Sequence, residues 1–152
     1  GVMTEVSNDT EFRKALDALD ATQQRLVATR FVENVVALCS DQRIARVLKV
    51  AGDSGASEGE LADALKTARA TTFDCHTRCG SEGDWSEQAG YFVARAATAA
   101  LTPAGQKSGG PGWQAAMSCR MAQTSRSIGS GEDTTGQESS QQYRILSEFL
   151  DS

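Results

Sequence analysis

The chain has 152 residues, a length that favours one domain and leaves no room for a second sizeable core. Val, Ile, Leu and Phe supply only roughly 18% of it, a level at which disorder becomes a question. The net charge of −5 is too modest to force that outcome, and alanine fills the gap as a strong helix former. No apolar run nears the ~20 residues of a membrane-spanning helix. The acidic balance also argues against nucleic acid, whose phosphates call for a basic patch.

No cationic segment followed by an apolar stretch opens the sequence, so no secretory signal is expected. Gly1 ahead of Val2 and Met3 reads as an expression scar, with an original start near Met3. Cys39, Cys75, Cys79 and Cys119 are too sparse for a disulfide scaffold, which makes a cytoplasmic protein with reduced thiols the expectation.

Both prolines fall late, at Pro103 and Pro111, leaving the first hundred residues free of the strongest helix breaker. Four start signals recur there: Asn8 before Glu11, Asp20 before Gln23, Ser57 before Glu60, and Asp84 before Glu87. The first helix is expected over 9–19, with Phe12, Ala15, Leu16 and Leu19 on one face. A second is expected over 21–39, with a stripe of Leu26, Val27, Arg30, Phe31, Asn34, Val35 and Leu38. Ser40-Asp41 should cap a short third helix carrying Ile44, Val47, Leu48 and Ala51, ended by Gly52 to Gly55. The fourth starts at Ser57 and aligns Leu61, Ala64, Leu65, Ala68, Thr72, Cys75 and Cys79 before Gly80 to Gly83 break it.

The fifth is expected over 85–101, burying Trp85, Ala89, Phe92, Val93, Ala96 and Ala100. A flexible loop is expected over 102–112, rich in Gly and Pro. The sixth helix follows over 112–128, with Trp113, Ala116, Met117, Arg120, Met121, Thr124 and Ile128 inward. A second flexible loop over 129–137 leads to a last helix at 138–150, carrying Tyr143, Leu146, Phe149 and Leu150. No alternating run of β-branched and aromatic residues interrupts this pattern. The expected fold is a single-domain, all-α bundle of six or seven helices spanning 1–152.

Chemistry is sparse. Cys75, His76 and Cys79 lie within about one helical turn, and thiolates with a neutral imidazole suit zinc. No second ligand pair stands elsewhere, and C-H-x-x-C is not the haem-attachment order. The simpler reading continues the buried stripe of the fourth helix with two small cysteines; metal or redox use is the alternative. His76, the only histidine, has no nucleophile signature around it. Neither phosphate-binding glycine motif is present, so no cofactor is expected. Arg43, Arg46 and Lys49 form a basic edge that reads as a solvated face, offset by Asp41 and Asp53. Arg30 and Arg95 interrupt apolar stripes, and a buried guanidinium needs acceptors such as Glu33, Asn34, Asp63 or Asp74. They either snorkel at the bundle edge or line a cleft for a carboxylate or phosphate.

The segment FVENVVALCSDQRIARVLKVAGDSGASEGELADALKTARATT, residues 31–72, resembles the alanine-rich, all-helical immunity proteins of bacterial polymorphic toxin systems. Its D-x-R motif and E-L-x-x-A turn carry the likeness through Asp41, Arg43, Glu60, Leu61 and Ala64, and QAGYFVARAATAAL continues it to residue 101. QQYRILSEFL is similar to a terminal amphipathic helix of that family, whereas TRCGSEGDW departs from the pattern. The resemblance implies a domain that neutralises a toxin by binding, without chemistry of its own. Asp53, Glu58, Glu60 and Asp63 then form the candidate docking face for a basic toxin. The alternatives are a metal- or redox-linked enzyme using Cys75, His76 and Cys79, and a structural homodimer packed through Ala and Gly faces.

Overall fold

The computed structural model describes residues 5–79, 84–105, 108–132 and 135–152, which form seven α-helices and no strand. Capping chemistry places the early helices. Asn8 accepts the Glu11 N–H at the start of α1 (Asp9–Asp17), and a reciprocal Asp20–Gln23 box opens α2 (Ala21–Glu33). Asp41 Oδ1 accepts the Arg43 N–H at 3.0 Å where α3 (Arg43–Ala51) begins. Ser57 and Glu60 exchange bonds across the start of α4 (Glu58–Cys79). Asp84 accepts from the Ser86 and Glu87 N–H groups at the start of α5 (Trp85–Leu101). All four sequence-level start signals therefore satisfy N–H groups that a helix leaves without partners.

Several boundaries differ from expectation, beginning with the first helix, which ends at Asp17 rather than at residue 19. The second helix does not run to residue 39: it ends at Glu33 and gives way to a 3-10 turn, Val36–Leu38. The turn lets the backbone of Leu38 and Cys39 lie on Gly90 of α5, where an added Cβ would sit only 3.7 Å from each. The 102–112 segment is loop only in its first part, because α6 (Gly110–Ser130) starts two residues early. Gly109 adopts a left-handed φ of 86° as its cap, and Pro111 suits the first helical turn. Gly131, at φ 78°, ends α6, and α7 (Thr135–Asp151) begins within the expected 129–137 loop. The expected break over Gly80 to Gly83 lies outside the described residues.

One contiguous core draws on all seven helices, from Phe12 of α1 to Leu146 of α7. Its centre is α5, which packs against α2, α3, α4 and α6. Enclosure on several sides explains why Ala89, Gly90, Val93, Ala94, Ala96, Ala97, Ala100 and Leu101 are all buried. Trp85, expected inward, stays 38% exposed at the helix start. The inward face of α6 differs in part from expectation: Ala116 is buried as expected, Met121, Thr124 and Ile128 are exposed, and Gly112, Ala115, Ser118, Cys119, Ala122 and Ser125 are buried instead. Small side chains win these positions because they let α6 come close to α5, an advantage that a scan for bulky residues misses. Around this seam, Phe12 gathers Phe31, Trp113 and Tyr143 at centroid distances of 5.5, 6.2 and 5.5 Å.

The tightest joint lies between α6 and the first two helices. Gln24, buried in α2, donates to the Leu16 carbonyl of α1 and accepts the Gly112 N–H of α6 at 3.0 Å. A Cβ at Gly112 would meet Gln24 Oε1 at 2.8 Å and Leu16 Cδ2 at 2.9 Å. Gly112→Ala is expected to lower stability by about 1–3 kcal/mol through overpacking. Gly136→Ala, with nothing within 4 Å of the new methyl, should not lower it. Urea unfolding of both variants checks the contrast.

Candidate functional site

The two arginines that break apolar stripes are not buried. Arg30 is exposed, with its guanidinium 5.2 Å from the Phe149 ring centroid on α7. Arg95 is also exposed, has no hydrogen bond or ion pair among the described residues, and lines a cleft between α5 and α6. Of the acceptors expected for them, Asp74 accepts from Arg43 instead, while Asn34 turns its amide N–H groups to Glu138 and Gln141. Long side chains can keep their stems on the bundle and their heads in water, so neither arginine needs a buried carboxylate.

Asp53, Glu58, Glu60 and Asp63 are all exposed and form no ion pair among the described residues. They occupy the α3–α4 turn and the first two turns of α4. Helical spacing divides them: Glu58 shares a stripe with Leu61, Ala62 and Leu65, while Glu60 and Asp63 lie toward the opposite side. The Glu58 stripe borders an open groove of about 450 Å³, flanked by Ala21, Thr22 and Arg25 of α2 and by Leu101 and the residues up to Ala104 that follow α5. Arg25 is held by the carbonyls of Ala51 and Asp53 at 3.0 and 2.8 Å, so a cation with its own acceptors stands beside this acidic corner. The arrangement joins an apolar floor to several unpaired carboxylates, which suits binding and carries no catalytic constellation.

The sequence cluster of cysteines and histidine separates in space. Cys75 is buried, whereas His76 is exposed and packs its ring 5.3 Å from that of Tyr91. The Cys79 side chain lies outside the described residues. Among the described residues, no group of three His, Cys, Asp or Glu side chains is placed to hold a metal ion. Cys75 instead shares a cleft of about 130 Å³ with Cys39, Asp41, Arg78 and Glu87. Arg78 donates to Cys75 Sγ at 3.1 Å and pairs more loosely with Asp41 and Glu87 at 3.7 and 3.6 Å. Burial pushes the Cys39 thiol up to about 11 and raises those of Cys75 and Cys119, so these three stay protonated near neutral pH and are poor nucleophiles. Arg43, part of the supposed solvated edge, grips Asp41 at 2.7 Å and Asp74 at 3.0 Å, joining α3 to α4. Its hydrogen bonds hold the Asp41 carboxyl down to about 2.

A second polar cluster escaped the sequence reading. Arg120 of α6 binds Asp9 at 2.8 and 3.0 Å and donates to Gln142 at 2.8 Å, and Tyr143 donates to Asp9 at 2.7 Å. Beneath them Glu138 is only 1% exposed and accepts from Asn34, Gln123 and Gln142 at 3.3–3.4 Å. Its signal in the sequence is the stripe Glu138, Gln142, Leu146, two polar residues at core spacing on α7.

Burial raises the Glu138 pKa above its ordinary 4.5, because three neutral amides only partly replace water around a charge. The folded state thus holds this proton more tightly than the unfolded chain. Its contribution is fully favourable below about 4.5 and is lost as pH rises through the raised value. Glu138→Gln is expected to remove that decline, so stability between pH 4.5 and 7 should fall less steeply than in the parent; urea unfolding across this range measures the slope. Asp41 acts in the opposite sense: its contribution is present above the ordinary 3.8 and lost as pH falls toward 2.

No protein-family model matches this sequence, and no curated protein or solved structure matches it either.

Proposed function

We propose that this chain acts by binding rather than catalysis, as an immunity-type inhibitor that neutralises a basic bacterial toxin in the cytoplasm. The observation that carries this reading is the acidic corner of Asp53, Glu58, Glu60 and Asp63 beside the apolar groove of Leu61, Leu65 and Leu101. Four exposed carboxylates against the single nearby Arg25 guanidinium leave a net negative potential that speeds the approach of a cationic surface. The groove then offers apolar contact to a side chain flanked by lysine or arginine. Raised thiol pKa values at Cys39, Cys75 and Cys119 weigh against a nucleophilic or redox role for these residues.

Co-expression with basic toxic proteins encoded beside its gene is expected to restore growth. The double variant Glu58→Lys, Asp63→Lys should slow association with the rescued toxin by about tenfold at low ionic strength, with little change at high salt. No rescue by the intact chain, or association indifferent to salt and to both substitutions, would overturn the reading. A second copy is the other partner that exposed Met121 and Ile128 on α6 suit. Light scattering that finds only monomer removes it.

A further inference from the structure

The cleft beside Arg95 is small, about 70 Å³, and among the described residues it is lined by Arg95, Thr98, Thr102, Pro111, Gln114 and Ser118, with no carboxylate among them. Serine and threonine on helices commonly turn back to the carbonyl four residues earlier. Thr71, Thr72, Thr98, Thr102 and Thr124 all do so here. Ser118 does not. The residue is only 8% exposed, yet its hydroxyl has no hydrogen-bond partner among the described residues and keeps its access to the cleft. Solvent in the cleft reaches this hydroxyl, which is therefore free to bond to a ligand that enters.

Other donors converge on the same space. The Arg95 guanidinium is unpaired among the described residues. At the start of α6, Gly109 supplies no side-chain cap, Pro111 has no N–H, and the Gly112 N–H is taken by Gln24. That leaves the Gly110 N–H at the cleft wall without a partner among the described residues. The Thr98 and Thr102 hydroxyls have already donated, to Ala94 and Thr98, and Gln114 donates to Ser108 at 2.6 Å. Among the described residues the uncommitted polar groups are the Arg95 cation, the Gly110 N–H, the Ser118 hydroxyl and the Gln114 Oε1 acceptor, set against apolar walls from Ala99, Pro103 and Pro111.

We propose that this cleft binds a small carboxylate with an apolar body, its charge on Arg95 and a carboxylate oxygen on Ser118 Oγ. A single guanidinium matches one negative charge better than the two of a phosphate at neutral pH. The cleft shares Thr102, Pro103 and Pro111 with the groove beside Glu58, but the two call for ligands of opposite sign. This site stands independently of toxin binding, because the titration below uses the protein alone.

Amide NMR titration with benzoate, in a buffer free of other carboxylates, tests the assignment. Saturable shifts are expected around Thr98, Thr102, Gly110 and Ser118, with neutral benzyl alcohol and inorganic phosphate both binding more weakly. Arg95→Met should weaken benzoate by about tenfold, and Arg95→Lys should recover part of the loss. Ser118→Ala should weaken it by about threefold while leaving Tm unchanged, since the hydroxyl holds nothing in the free protein. The assignment is overturned by absence of saturation, by benzyl alcohol or phosphate binding as tightly as benzoate, by an indifferent Arg95→Met, or by a lowered Tm in Ser118→Ala.

Discussion

Two helices approach closely only where neither carries bulk between their axes, and α5 meets α6 through faces built largely of alanine, glycine, serine and cysteine. That proximity sets the rest of the architecture. With α5 enclosed, α2, α3 and α4 can also rest on it, and the backbone at Leu38 and Cys39 can cross Gly90. Larger side chains are then displaced to the periphery of the seam, where Phe12, Phe31, Trp113 and Tyr143 collect between α1, α2, α6 and α7. The single core therefore has a centre of small side chains and an aromatic flank.

Polar clasps hold the outer helices to this centre. Asp41, Arg43 and Asp74 join α3 to α4, and Asp9, Arg120 and Gln142 join α1, α6 and α7. Partly buried ion pairs add little net stability compared with packed hydrocarbon, yet a lone member left behind is costly. They therefore act mainly on geometry, fixing which helix lies against which where apolar area is scarce. Glu138 goes further, placing a carboxyl within a shell of amides at the junction of α2, α6 and α7.

Fold class and most helix starts were legible because caps are local: a side-chain oxygen and an N–H three residues away suffice. The end of α2 was not, since it depends on Gly90, more than fifty residues later in the chain. The inward face of α6 was misread for a related reason. Met121 and Ile128 look like core residues in isolation, and only the alanines of the neighbouring helix make Ala115, Ala122 and Ser125 the better fit. The acidic corner was legible as composition, but not its division by α4 into a groove side and a far side. Arg95 was singled out for interrupting an apolar stripe, whereas Ser118 carries no sequence signal, because its place in the wall of the cleft between α5 and α6 is set by how those helices pack.

A centre made of methyl groups also governs how the protein responds to temperature. Apolar surface exposed on unfolding is the main source of the heat-capacity increment, and polar surface subtracts from it. Alanine exposes less of the former per residue than leucine or phenylalanine would at the same positions, while the backbone it releases is the same. The stability curve of this chain is accordingly flatter than that of a leucine-rich bundle of equal length, with a wider span between cold and heat unfolding for a given maximum.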